Sequence, residues 1–511
     1  MTRTRRFAGG VALGHAHLVL VTVVGLWMTP FLLEWLGEQQ LGLWLVAQQL
    51  VGYLLLMDIG VNALLPRETA FATGRSADGA TAAELPQVVA RARRAVFWQV
   101  PLVALVALGV WLWMPAGMQQ AAGPLAVMLA GFVVLFPFRL YQAFLQGVQE
   151  LPFLGRLQMI SWTIATGLTI GLVVYGAGLY ALVIGWAAGQ LITSAAARLR
   201  IARLYSAAWP SWSTTASLDD VRSYMSQAGW ISLAQVSQVL LTGSDLLLVG
   251  SVLGASAVVQ YSCTTKLATV LSNHPQLIMQ AATPALSEMR AASQRDRLVE
   301  ASLALTLAML TVSGLVACLI LALNTAFVAW WVGPAQYGGY ALTALAAVHL
   351  VVRHLNVTFI YGLFCFGRER RISITNLVDG LVTIAAALVL LPLAGPSGAV
   401  LGSLGAVMVV SLPSNLAALA RETATTPVEW LRKLLPWLSR FVALAAASAL
   451  VPVVWSPAGI VSLVLSGLAV TAVYALVMMQ GLSNGPLGAF VRPRLAALLP
   501  TTWRPRLSER I

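Results

Sequence analysis

Apolar segments of about 20 residues recur along the whole chain, and they restrict the fold more than any other feature. A helix of that length spans the bilayer's hydrocarbon core, because an α-helix rises about 1.5 Å per residue. The segments are rich in Leu, Val and Ala without apolar–polar alternation, which favours helices over a β-barrel. Only 10% of the 511 residues are charged, far fewer than in a soluble domain. The sequence therefore predicts an all-α integral membrane protein.

The distribution of basic residues orients the predicted helices. We predict fourteen transmembrane helices, at residues 11–34, 42–65, 95–115, 123–147, 156–176, 179–200, 224–250, 256–285, 300–326, 338–366, 372–393, 396–420, 434–454 and 458–481. Of the 31 Lys and Arg residues, 28 lie on one predicted side, so the positive-inside rule places both termini in the cytoplasm. Topology and contact with anionic membrane lipids then explain the net charge of +13, and no nucleic-acid partner is expected.

A weak internal repeat divides the predicted helices into two sets. Leu36-Gly37 recurs as Leu253-Gly254, and Phe144–Gly147 recurs as Phe364–Gly367. We therefore expect two six-helix lobes, helices 1–6 and 7–12, related by a pseudo-twofold axis along the membrane normal, with a substrate path at their interface. The predicted domains are an N-lobe (1–205), a cytoplasmic linker (206–223), a C-lobe (224–420) and two further helices with a basic cytoplasmic tail (421–511).

Three basic residues, Arg139, Lys266 and Arg353, lie inside predicted spans, where a charge costs at least about 2.5–3.5 kcal/mol. Helical spacing places polar side chains beside them: Gln142 and Gln146 with Arg139, Asn273 with Lys266, His349 and Asn356 with Arg353, and Gln235 and Gln238 on a neighbouring helix. Such stripes predict a water-filled, mainly cationic cavity that binds a large anion. The alternatives are that Arg139 reaches the interface, and that Lys266 and Arg353 form internal ion pairs with Asp58, Asp245 or Asp379.

Other titratable residues within the spans are candidates for ion or proton coupling: Asp58, Asp245, His15 and His17. Asp58 is expected well inside the second helix, which is expected to close at Pro66. The alternatives are cap or interface roles for the aspartates and packed, locally bonded histidines.

The sequence contains none of the usual signs of a metal or nucleotide site. Three cysteines in apolar segments predict small buried side chains, without disulfides or metal ligands. No cofactor is expected, and no G-x4-G-K-[ST] loop for nucleotide hydrolysis occurs. Transport would then be driven by a substrate gradient, the membrane potential or ion coupling.

Four segments, in this order, resemble elements of one transporter family. They are LG-x4-GLW followed by L-x-D-I-G (residues 36–60), FLQGVQELPFLGR (144–156), SDLLLVGSVLGASAVVQYS (244–262) and YGLFCFGRERRISITNLVDG (361–380). The chain resembles the Wzx-type polysaccharide and O-antigen flippases of the multidrug/oligosaccharidyl-lipid/polysaccharide (MOP) superfamily, although Val259 replaces a Gly usual in the third element.

The resemblance implies a flippase and not an enzyme. Its substrate would be an undecaprenyl-pyrophosphate-linked oligosaccharide, which crosses the inner membrane by alternating access for lipopolysaccharide or other surface polysaccharide. A polysaccharide polymerase is an implied partner, and a monomer is favoured.

Two alternative functions stay open. A multidrug exporter of the same fold would prefer cavity carboxylates for cationic drugs. A membrane polysaccharide polymerase or ligase would need a large outward loop, and the predicted outward loops are short.

Overall fold

A computed structural model describes residues 3–58, 61–77, 84–114, 116–210, 244–272 and 295–482, with short stretches at 217–240 and 279–290. Within these residues, eleven helical segments are long and apolar enough to span a membrane. The predicted helices 224–250 and 256–285 lie only partly within the described residues. The all-α membrane fold expected from composition is confirmed.

The chain divides into two compact units. Unit 1 comprises Met1–Val239 with Gly254–Ser256, and unit 2 comprises Leu240–Leu253 with Ala257–Ile511. The described helices of unit 1 are α1 (Arg3–Leu54), α2 (Val61–Ala77), α3 (Glu84–Leu112), α4 (Ala122–Leu135), α5 (Arg139–Gly147), α6 (Leu151–Val174) and α7 (Leu179–Leu204). Short 3-10 turns occur at Leu55–Met57, Ala116–Ala121, Phe136–Phe138 and Ser206–Ala208.

The first two predicted helices form one helical run with a kink at Gly37. The backbone there has φ 78° and ψ 168°, a conformation that glycine adopts without the strain of a Cβ atom. The expected loop at 34–41 is therefore reduced to one residue.

The expectations for the end of the second helix were wrong. The 3-10 turn Leu55–Met57 ends the run, and Asp58 follows it outside any helix, with φ −70° and ψ 86°. The next helix, α2, then runs through Pro66 to Ala77. A proline removes one backbone hydrogen bond, a loss that membrane helices tolerate where neighbouring groups supply another partner.

Unit 2 contains the remaining described helices. They are α8 (Asp245–Leu253), α9 (Ala255–Thr264), which begins with two residues of unit 1, α10 (Lys266–Leu271), α11 (Arg295–Trp331), α12 (Tyr340–Cys365), α13 (Glu369–Ala394), α14 (Ser397–Ala406), α15 (Leu412–Glu422), α16 (Pro427–Val454) and α17 (Ile460–Leu482). A 3-10 turn occurs at Pro334–Gln336, and a π-helical turn, Val407–Ser411, joins α14 to α15.

Helix α11 lies at the centre of unit 2, and the last two helices pack against it. Trp437 and Phe441 of α16 and Tyr474 of α17 surround Gly314, where a Cβ atom would lie 3.0 Å from Phe441 and 3.2 Å from Trp437. The hydroxyl of Tyr474 donates a hydrogen bond to the carbonyl of Thr311 (2.8 Å). Helices α16 and α17 therefore form part of the core of unit 2.

Small residues bring α6 and α7 into close contact in unit 1. Gly185 and Gly189 are four residues apart on α7, the spacing that lets two membrane helices approach closely. A Cβ atom at Gly185 would meet Thr169 and lie 3.0 Å from the carbonyl oxygen of Ala165, and one at Gly189 would lie 3.1 Å from Cβ of Ala165.

We predict that Gly185→Ala destabilises unit 1 by about 1–3 kcal/mol, because the added methyl group has no space against α6. Thermal unfolding of the purified protein in detergent measures the effect. Gly167→Ala on α6 is the matched control, since a Cβ atom there meets nothing within 4 Å. Equal stability of the two variants would contradict the close α6–α7 contact.

Candidate functional site

A cavity of about 350 Å³ lies within unit 1, a size typical of small-molecule sites. Helix α5 supplies its polar wall with Arg139, Gln142 and Gln146, which helical spacing places on one face. The opposite face of α5 is buried in the protein. The structure therefore brings these three predicted side chains into one cavity.

Other elements of unit 1 complete the cavity wall. Helix α7 adds Trp186 and Gln190, and the apolar part comes from α1, α4 and the neighbouring 3-10 turns, through Val51, Leu55, Phe132, Leu135 and Phe136. Three amides, which both donate and accept hydrogen bonds, thus lie near one cation and several aromatic rings. Such a wall can bind hydroxyl groups and an anion while an apolar ring face packs against aromatic side chains.

The charge of Arg139 is balanced by Asp58. Nη1 of Arg139 lies 3.7 Å from Oδ2 of Asp58, and the two side chains are 30% and 7% exposed. That separation is too long for a hydrogen bond, and Nη1 has no hydrogen-bond acceptor. Asp58 pairs with Arg139 from a position just after the 3-10 turn, outside any helix. Arg139 is therefore held in place by electrostatic attraction to Asp58.

Lys266 begins α10 in unit 2 and is half-buried. Among the described residues, no carboxylate lies within ion-pair distance of its ammonium group. Arg139 and Arg353, in contrast, each have an aspartate within that distance. Asn273, expected on the same face, lies outside the described residues.

Arg353, on α12, is part of a buried polar network in unit 2. Its Nη1 donates to Oδ2 of Asp379 on α13 (2.9 Å), and its Nη2 donates to Oγ of Ser403 on α14 (2.8 Å). Nε2 of His349 lies 3.0 Å from the same Ser403 oxygen. The Arg353 side chain is 16% exposed and that of Asp379 is 0% exposed. Of the alternatives that the sequence left open, the structure supports the internal ion pair with Asp379.

The π-helical turn extends this network. Ser411, its last residue, donates to Asp379, and Asn356 of α12 donates to Oγ of Ser411 (3.1 Å). Asn415 donates in turn to the side-chain oxygen of Asn356 (2.9 Å). His349 and Asn356 thus act as network members within unit 2, and Asn356 is only 1% exposed.

The remaining predicted residues belong neither to the unit 1 cavity nor to the Arg353–Asp379 network. Asp245 accepts a hydrogen bond from the hydroxyl of Tyr261 (2.7 Å), while its Oδ1 is buried without a donor. His17 packs edge-on against Trp162 of α6, with 6.1 Å between ring centroids. Gln235 is exposed, and Gln238 and the side chain of His15 lie outside the described residues.

Four residues of the cavity and of the buried network were not among the predicted site residues. Gln190 and Trp186 line the unit 1 cavity, and Ser403 and Ser411 bind the buried ion pair of unit 2. Gln190 is an isolated amide in an apolar span, and this feature of the sequence could have identified it as a cavity residue. The serines carry no such signal, because small hydroxyl residues are common wherever membrane helices pack closely.

Cys263, Cys318 and Cys365 are buried, as predicted for small side chains in apolar segments. Among the described residues, no cluster of three or more His, Cys, Asp or Glu side chains has metal-binding geometry.

Comparison with protein families and solved structures was consistent with the resemblance seen in the sequence. Residues 103–323 match the family model described as "Polysaccharide biosynthesis protein". Comparison of the sequence with curated proteins finds no match.

Solved structures show the same fold. An inward-facing multidrug resistance MATE family transporter of the MOP superfamily has a TM-score of 0.63 and 14% identity, covering 82% of this chain and 99% of that one. The lipid II flippase MurJ, in an inward closed conformation, has a TM-score of 0.63 and 12% identity, covering 92% of this chain and 99% of that one. At these identities the similarity concerns the fold, so the expected MOP-type fold is confirmed.

We predict that Arg353→Met and Asp379→Leu each destabilise unit 2 by about 3–5 kcal/mol, because each leaves one buried charge without its partner. The double variant should recover most of that loss. Equilibrium unfolding in detergent measures all three proteins. The matched control is Arg368→Met, which breaks the exposed pair with Glu422 and should cost about 0–1 kcal/mol. Additive losses in the double variant would contradict a coupled buried pair.

Proposed function

We propose that this chain, of which residues 103–323 match the polysaccharide biosynthesis protein model, is a flippase for a lipid-linked oligosaccharide. It would carry an undecaprenyl-pyrophosphate-linked glycan across the cytoplasmic membrane by alternating access, for lipopolysaccharide or another surface polysaccharide. The family match and the MOP-type fold support transport over polymerase or ligase chemistry. A polysaccharide polymerase is its proposed functional partner.

The finer architecture is part of this proposal. It comprises fourteen helices with cytoplasmic termini, an N-lobe (1–205) and a C-lobe (224–420) of six helices each, a linker (206–223) and two added helices with a basic tail (421–511).

The single observation that best supports the proposed substrate is the unit 1 cavity around Arg139. The guanidinium group of Arg139 matches the geometry of phosphate oxygens, and its side chain lines the cavity. The amides of Gln142, Gln146 and Gln190 suit sugar hydroxyl groups, and the ring of Trp186 suits the apolar face of a sugar. We propose that the diphosphate and its first sugar bind here, while the polyprenyl tail remains in lipid.

The other predicted cations have different proposed roles. Lys266, without a carboxylate partner among the described residues, is proposed as a separate anion contact within unit 2. Arg353 already binds Asp379, so we assign it to the substrate path only if that pair opens during transport. Asp58, Asp245, His15 and His17 remain proposed coupling residues.

We predict that Arg139→Gln reduces surface polysaccharide about tenfold to a hundredfold, the loss expected for one or two charge-assisted hydrogen bonds to phosphate. The variant is expressed in a strain that lacks the chromosomal copy, and polymer and protein abundance are both measured. Lipid-linked sugar should accumulate on the cytoplasmic face. Arg139→Lys should recover only part of the activity, because a point charge replaces a bidentate group.

Arg156→Gln is the matched control for Arg139→Gln. It removes one positive charge from unit 1 at an exposed position where Arg156 donates to the carbonyl of Pro152 (3.2 Å), and it should leave polymer at the wild-type amount. Normal polymer in Arg139→Gln would refute the role of the cavity. A change in drug susceptibility without accumulated lipid-linked sugar would instead indicate a multidrug exporter.

A further inference from the structure

A second group of cations, outside the cavity and the buried network, lies where α13 begins. Arg368 and Arg421 are close enough to Arg371 to act on its charge, and the nearby carboxylate is that of Glu422. Nε of Arg368 donates to Oε1 of Glu422 (2.6 Å). Arg368, Arg371 and Arg421 form an arginine cluster in which Arg368 is paired with Glu422, so the cluster keeps an excess of positive charge.

Arg371 is the fixed member of the arginine cluster. Its Nη2 donates to both the carbonyl oxygen and the hydroxyl of Ser414 on α15, each at 2.8 Å. Its Nη1 is buried and has no hydrogen-bond acceptor. Arg421, seven residues after Ser414 and thus on the same face of α15, is exposed. The exposed guanidinium group of Arg421 is therefore a member of the cluster that an anion can reach from outside.

An apolar face of α13 leads away from Arg371. Val378, Val382 and Val389 follow it at 7, 11 and 18 residues, spacings that place all four on one side of a helix. These valines are 43%, 37% and 64% exposed. In a span, such exposed apolar side chains contact hydrocarbon, so the arginine cluster stands at the head of a surface suited to an acyl chain.

We propose that the arginine cluster binds the phosphate headgroup of a membrane lipid whose hydrocarbon chain lies along Val378, Val382 and Val389. Guanidinium groups bind phosphate oxygens in pairs, and the exposed side chains of Arg368 and Arg421 are accessible to a lipid headgroup. The basic pattern of the chain predicts that this end of α13 faces the cytoplasm, where anionic lipids attract clustered arginines. The site is separate from the unit 1 cavity and does not depend on the proposed transport function.

The test measures lipid retention by the full-length protein, purified in a non-ionic detergent and analysed by native mass spectrometry. The probes are phosphatidylglycerol, undecaprenyl diphosphate, phosphatidylcholine and inorganic pyrophosphate. We expect Arg421→Gln to weaken retention of an anionic lipid several-fold, and Arg371→Gln/Arg421→Gln to weaken it about tenfold or more. Arg421→Gln leaves the Arg371–Ser414 hydrogen bonds intact, so it tests the site without disturbing the fold.

The matched control is Arg432→Gln/Arg440→Gln, which removes two positive charges from α16 in the same unit. It should retain anionic lipid as the wild type does. Whichever anionic lipid loses more retention in the cluster variants identifies the source of the phosphate. Equal retention by cluster and control variants would overturn the proposal. Binding of inorganic pyrophosphate as strongly as lipid would also overturn it, because the valine face would then contribute nothing.

Discussion

Hydrocarbon offers no hydrogen-bond partners, so every polar group within a span of this chain must find its partner in the protein or in trapped water. This constraint explains where the helices are interrupted. The run α1 ends in a 3-10 turn beside Asp58, whose carboxylate faces Arg139, and the π-helical turn carries Ser411 to Asp379. Irregular backbone in the described spans therefore occurs next to the charged side chains that need it.

The two ion pairs meet this constraint to different degrees. In unit 2, Arg353 and Asp379 are 2.9 Å apart and bind further hydroxyl groups, so the pair is buried and nearly saturated. In unit 1, Arg139 and Asp58 are 3.7 Å apart beside a cavity of about 350 Å³, and a nitrogen of Arg139 has no acceptor. Loss of either partner of the saturated pair would leave a buried charge uncompensated, whereas the looser pair lies beside open space. This difference supports the proposal that a substrate anion binds in unit 1.

Helical periodicity predicted the polar faces because it depends only on residue spacing. Arg139, Gln142 and Gln146 share a face on any helix, and the structure places them in one cavity. The location of Asp58 was mistaken because the end of a helix depends on neighbours that satisfy its last carbonyl groups. The partner of Arg353 was left open among three carboxylates, since spacing on one helix carries no information about another. Trp186 and Gln190 entered the cavity wall through the packing of α7, not through any local pattern.

The sequence by itself determined the membrane class and the position of most spans. These properties follow from hydropathy and charge along short segments, where transfer into lipid is decided residue by residue. Only the tertiary structure decided that Asp379 would bind Arg353, that Asp58 would face Arg139, and that Arg371 would be held by Ser414 with one nitrogen unsatisfied. Such pairings depend on distances of a few ångströms between helices, and close contact at glycines such as Gly185 sets those distances.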